Sequence, residues 1–172
     1  MKPDKLSLFD LFEKHRRYVV PLFQRQYVWG RTGEWEPLWD DINQKAATVD
    51  AGTARAPNFF GALVLNQMPV FGREVNAAEI VDGQQRLTTM QVLLAAFRDL
   101  TRDSGDSQIH KDLSRLTQND CVMVHEFERF KVWPTNVDRS AFERVMSAGS
   151  LAAVTQRTSG RQKAQEHTLL QA

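Results

Sequence analysis

Apolar positions recur along the chain either at helical spacing or in short unbroken runs. Leu8, Leu11 and Phe12, with Asp10, Glu13 and Lys14 between them, predict a short amphipathic helix within 6–16. The β-branched and aromatic run at 18–23 predicts a strand, and Pro21 confines it to an edge or an entry segment. A turn at 31–33 precedes a second helix over 34–47, where Trp35, Leu38, Trp39 and Ile42 form one stripe and Pro37 falls in the first turn. After a small, polar loop at 48–58, the run Phe-Phe-Gly-Ala-Leu-Val-Leu at 59–65 predicts a buried strand. A further strand is expected at 70–76, and residues 79–81 lead into Asp82-Gly83.

The best-marked helix follows. Leu87, Met90, Leu94, Phe97 and Leu100 place it over 84–101. After a loop at 102–108, a weaker helix is predicted at 109–117 and a strand at 129–133. Pro134-Thr135-Asn136 is a turn, and a last helix spans 138–146 with Asp138 placed to cap it. From Ser147 the chain is small, polar and weakly periodic, so the expected division is a domain at 1–146 and a truncated or weakly ordered tail at 147–172.

Composition changes this picture little. The 172 residues are 42% hydrophobic, enough for one domain core. With 22 lysines and arginines against 21 aspartates and glutamates, the whole surface is not a basic nucleic-acid glove, though a local basic cleft stays open. The single cysteine, Cys121, excludes a disulfide framework and a cysteine zinc cluster, and the four scattered histidines suggest no metal site. No secretory signal or membrane span is visible, so the expected location is the cytoplasm.

Two junctions carry candidate chemistry. At Asp82-Gly83-Gln84-Gln85-Arg86 a strand ends and a helix begins, with Gly83 permitting close approach of a ligand. The helix's unpartnered N–H groups favour phosphate, and Arg86 supplies a forked cation. Gln84, Gln85, Thr88 and Thr89 add hydrogen-bonding groups. A plain cap with a solvated arginine is the alternative. At Gln24-Arg25-Gln26-Tyr27-Val28-Trp29, aromatic rings and a cation in six residues suit a base and a phosphate. Here the alternative is that Tyr27 and Trp29 pack in the core while Arg25 pairs with Asp40 or Asp41. Arg16, Arg17, Arg25, Arg31, Arg86 and Arg98 are the candidate DNA-contacting cations.

The succession V-P-x-F-Q-R-x-Y-V-W, W-x-x-L-W-D-D-I, F-F-G-A-L-V-L, I-V-D-G-Q-Q-R-L-T-T and K-V-W-P-T-N-x-D resembles the N-terminal domain of the GmrSD-type modification-dependent restriction endonucleases. The resemblance covers roughly residues 6–146, with the D-G-Q-Q-R signature intact at Asp82–Arg86. It implies an α+β, ParB/sulfiredoxin-like fold, a small mixed sheet flanked by helices. It implies a nucleotide-binding or nucleotide-hydrolysing regulatory module of a bacterial phage-defence system.

Under that resemblance Asp82, Gln85, Arg86 and Arg25 are the expected catalytic group, with Asp82 orienting water or Mg²⁺ and a glutamine positioning the attacking water. Gly83, Gln84, Gln24, Tyr27, Trp29 and Thr88 would contact a nucleoside triphosphate, with Mg²⁺ arriving on its phosphates. DNA, some of it modified, and an H-N-H nuclease domain in C-terminal position or in trans are the implied partners. No histidine here stands in an H-N-H pattern, so DNA cleavage is expected from elsewhere. The alternatives are a module that binds nucleotide or modified DNA without turnover, and an inert fragment.

Overall fold

The computed structural model describes residues 4–53, 56–102, 106–121, 123–150 and 152–154. It is an α+β structure in which helices flank one four-stranded mixed sheet. The strands are β1 (Arg17–Val19), β2 (Val64–Gln67), β3 (Ala77–Asp82) and β4 (Val132–Trp133), in spatial order β2-β3-β1-β4. Strands β3, β1 and β4 run parallel, with Tyr18 opposite both Ala78 and Val132, and β2 adds an antiparallel edge to β3. Parallel neighbours need long crossovers. Here α2 (Glu36–Asp50) lies between β1 and β3, while α3 (Gln84–Arg102) and α4 (Ser107–Thr117) lie between β3 and β4. Helix α1 (Leu8–Phe12) opens the fold and α5 (Arg139–Ala148) follows β4.

The core forms where the sheet meets α3 and α5. Phe12, Tyr18, Ile80, Leu87, Phe130, Val132, Phe142 and Met146 are all buried there. Helix α3 is the central prop and begins where the sequence places it. Arg98, buried in α3, donates from Nη1 to Thr117 Oγ1 (3.2 Å) and from Nη2 to the Met146 carbonyl (2.9 Å), tying α3 to α4 and α5. Its charge is met by Asp99 at 2.8 Å. Ser7 and Asp10 form a reciprocal capping box on α1, and the Tyr18 hydroxyl donates to the Leu11 carbonyl at its far end.

Several elements differ from the sequence expectation for physical reasons. The run at 59–65 is not a buried strand. Phe59 is 87% exposed, and extended pairing starts only at Val64, because Gly61 turns the chain at φ +107. No strand forms at 70–76; β3 begins at Ala77, where pairing with β1 becomes available. Strand β1 covers Arg17–Val19, just short of Pro21, and Phe23 projects into solvent at 83% exposure. The expected strand at 129–133 is shortened: β4 covers Val132–Trp133, after an isolated bridge from Phe130 to Gln118 and a 3-10 turn at Glu126–Arg129.

The turn at 31–33 is part of a π-helical turn, Arg31–Trp35, that feeds α2. Helix α2 itself buries none of its residues, so its predicted stripe is only half covered. The side chain of Asp138 does not cap α5 but serves a different purpose, described below. Beyond 154, the tail expected from the sequence lies outside the described residues.

Candidate functional site

Three parallel strands end side by side, and each delivers one of the sequence motifs. Gln24–Trp29 follows β1, Asp82–Arg86 begins on the last residue of β3, and Pro134–Val137 follows β4. The crevice beyond the carboxyl ends of parallel strands is the usual ligand position in open sheets, because the chain must leave the sheet there in loops.

The first two motifs are fastened together by side-chain amides. Gln24 donates from Nε2 to the Val81 carbonyl at 2.9 Å, one residue before Asp82. Gln84 donates from Nε2 to the Arg25 carbonyl at 2.7 Å. Gln85 acts as a surrogate strand: its Nε2 donates to the Gln26 carbonyl (3.0 Å), and its Oε1 accepts from the N–H groups of Val28 (2.9 Å) and Trp29 (3.3 Å). Gln84 and Gln85 are buried, so leaving these backbone groups unpaired would be costly, about 1–3 kcal/mol each. The segment therefore holds an extended path without belonging to the sheet.

Tyr27 is the hub of this arrangement. Its ring is 7% exposed and packs against Trp35 at 6.3 Å. Trp35 donates from Nε1 to the Tyr27 hydroxyl (2.7 Å), which lies 2.6 Å from Thr89 Oγ1, and Thr89 donates to the Gln85 carbonyl (2.9 Å). An indole N–H can only donate, so the Tyr27 proton points to Thr89 and the chain runs one way. Burial raises the Tyr27 pKa, against the lowering effect of these two partners. Tyr27 is thus a core residue rather than a surface for stacking a base. Trp29 is half-buried beside it, and Thr88 is buried within α3 at 3% exposure, off the open surface.

The charged members of the motifs stay outside. Asp82 is exposed, and Arg86 lies 3.4 Å from it through Nη2 while donating from the same nitrogen to the Ala62 carbonyl (2.7 Å). Gly61 and Gly83 make this possible. A Cβ on Gly61 would collide with the Arg86 guanidinium, and one on Gly83 with the Leu63 side chain. Gly83 also holds φ +98, a conformation that other residues rarely adopt, and the helix starts directly after it. Arg25 is exposed and its guanidinium makes no hydrogen bond or ion pair with another described residue, so it does not pair with Asp40 or Asp41.

An open basin of about 610 Å³ lies against Arg25, within the size range of small-molecule sites. One wall is Leu22, Gln24, Arg25, Gln26 and Val28; the other is Thr135, Asn136 and Val137. The second wall was read from the sequence only as a turn. Its signal was present in the motif K-V-W-P-T-N-x-D, a strand followed at once by polar residues. Of the other candidate cations, Arg17 and Arg98 are buried, with Arg17 stacked on Phe127 at 4.6 Å, and Arg31 pairs with Glu36 at 2.9 Å. Arg17 and Arg98 therefore offer DNA no surface.

A site for Mg²⁺ held by protein alone does not fit these residues. Asp82 brings one carboxylate, already beside Arg86, and no three His, Cys, Asp or Glu among the described residues are arranged to hold a metal ion. No helix of the described residues is long and apolar enough to cross a membrane. Among curated proteins, none matches the chain. The chain does match the family described as GmrSD restriction endonuclease, N-terminal domain, over residues 8–171, which spans nearly its whole length. The motifs that converge at the strand ends thus stand in a chain that belongs to the GmrSD N-terminal domain family, part of a DNA-acting restriction system of phage defence.

Proposed function

We infer that this domain is the nucleotide-binding regulatory module of its restriction system, and that the crevice at the carboxyl ends of β1, β3 and β4 receives a nucleoside triphosphate. The observation that carries this is the exposed Arg25, whose guanidinium has no hydrogen bond or ion pair to another described residue, on a backbone that buried glutamines fix beside the Asp82–Arg86 turn. A guanidinium anchored by its backbone at the rim of the crevice, and not engaged in an ion pair, can meet an anion without breaking an existing contact. Arg86 adds a second cation at the neighbouring strand end, beside the residues that line the basin. Leu22, Val28 and Val137 give the basin apolar surface for a base. The same strand–loop–helix ends support a ParB/sulfiredoxin-like reading of the fold.

Binding without turnover is the second reading, and Gln85 favours it. Both ends of its amide are engaged by the 26–29 backbone, which gives it the part of a clamp rather than of a water-positioning group. Phosphate release by the purified protein separates the two. Release that falls in Asp82→Ala and Arg86→Ala supports hydrolysis at this turn. Equal, background release from all three, together with calorimetric binding, supports a sensor. A wild-type protein that binds no nucleoside triphosphate contradicts both.

A further inference from the structure

We propose that the loop after β4 is the second wall of the nucleotide site, with Asn136 contacting the ligand and Asp138 acting as the positioning residue that sets the width of the basin. This rests on the nucleotide reading above and assigns residues that neither signature motif contains.

The loop is built rigidly. The Thr135 carbonyl accepts from the N–H groups of Asp138 (3.0 Å) and Arg139 (3.1 Å), closing a tight turn. Arg139 donates from Nε to the Pro134 carbonyl at 3.2 Å and covers the Trp133 ring at 5.1 Å. Thr135 is buried, whereas Asn136 and Val137 stand at the exposed tip. Asn136 makes no side-chain hydrogen bond to another described residue, so both faces of its amide are available to the basin. A primary amide offers a donor and an acceptor side by side, the pairing that a nucleobase edge presents.

Asp138 joins this wall to the opposite one. It is 4% exposed, and a single oxygen, Oδ2, accepts from the Thr135 hydroxyl (2.7 Å) and from the Tyr27 N–H (2.9 Å). Tyr27 lies between Gln26 and Val28 of the first wall, and its hydroxyl is locked to Thr89 of α3. One carboxylate therefore spans from loop to clamped segment. Removing it breaks the link from Thr135 to the Tyr27 backbone while leaving Arg25 and Arg86 in place. Asparagine at 138 keeps an oxygen that can accept from both donors; alanine does not.

The test is calorimetric titration of ATP, GTP, CTP and UTP, each with magnesium chloride, into wild type, Asn136→Ala, Asp138→Ala, Asp138→Asn and Arg25→Ala, with melting temperatures alongside. The expected result is a Kd raised about tenfold or more by Asn136→Ala at unchanged melting temperature. Asp138→Ala raises Kd similarly, and Asp138→Asn restores it to near the wild-type value. If Asp138→Ala does not fold, Thr135→Val, which removes one of the two donors, takes its place. Tight binding that Arg25→Ala weakens but the Asn136 and Asp138 variants leave unchanged overturns the second wall and leaves the nucleotide reading standing. No binding of any triphosphate to wild type overturns both.

Discussion

Where the parallel strands begin, charged side chains are buried; where they end, charges face solvent and, apart from Asp138, the buried polar groups are neutral. At the beginning, Glu128 is 1% exposed and accepts from the N–H groups of Val75 (3.2 Å), Val124 (2.7 Å) and His125 (3.1 Å). Burial pushes its carboxyl pKa up, but these three donors and nearby Arg17 more than offset that and hold it below the usual range. Asn119 bridges the Arg16 and Glu128 carbonyls, and Lys131 donates from Nζ to the Lys14 carbonyl at 2.8 Å. At the other end, Gln84, Gln85, Thr88 and Thr89 are buried while Arg25 and Asp82 stay outside.

The contrast separates framework from site. A buried charge is tolerable only when its hydrogen bonds are met inside the protein, and a carboxylate so satisfied has little left to offer a ligand. Neutral amides hold backbone in place at lower desolvation cost. They leave the Arg25 guanidinium beside them available to an anion. The end held by amides is thus the end with unspent binding capacity.

The largest expected effect tests the framework end. Glu128→Ala removes a carboxylate that three backbone donors and Arg17 depend on, so urea unfolding is expected to show a loss of about 3–5 kcal/mol. A loss under 1 kcal/mol would erase the distinction between the two ends. Next comes the clamp. Gln85→Ala strands the Val28 and Trp29 N–H groups and the Gln26 carbonyl, with an expected cost of about 2–3 kcal/mol and faster amide exchange at Val28 and Trp29. Unchanged exchange there would mean that Gln85 does not hold the segment.

Lys131 gives a pH-dependent signature. Burial lowers its pKa from 10.5 to about 8, against the raising effects of Asp120 and Cys121. The unfolded chain therefore binds more protons between pH 8 and 10.5, and stability contributed by this group rises with pH across that window. Below the window both states are protonated and the penalty of the buried charge is complete. Lys131→Met is expected to flatten the slope, and a slope equal to that of wild type would show that Lys131 titrates normally. The smallest effect belongs to the site end: Arg25→Ala, a surface change, is expected to alter stability by less than about 0.5 kcal/mol.

Much of the frame was legible in the sequence because its signals were local. The α3 stripe and the Gly83 start need only neighbouring residues, and both stand where the sequence places them. The 59–65 run misleads because hydrophobicity alone does not reveal that Gly61 turns the chain and gives its space to Arg86. In the site, the sequence identified the junction at Asp82–Arg86 and the segment at Gln24–Trp29. It did not reveal that Gln85 reaches from one to the other, since that contact depends on sheet order. Tyr27 reads as a base-stacking residue until its burial against Trp35 is seen. Asp138 reads as a helix cap by position, yet its carboxylate is drawn to Tyr27 from far along the chain.

The most direct measurement is the urea midpoint of the wild-type protein with and without a nucleoside triphosphate, beside Arg25→Ala and Arg86→Ala. A triphosphate at one hundred times its Kd is expected to add about 2.7 kcal/mol to wild type, and most of that increment should vanish in each variant, with the unliganded stability of Arg25→Ala staying close to that of wild type. A midpoint that no triphosphate moves, or an increment that survives loss of both arginines, would contradict the assignment of the strand ends as a nucleotide site.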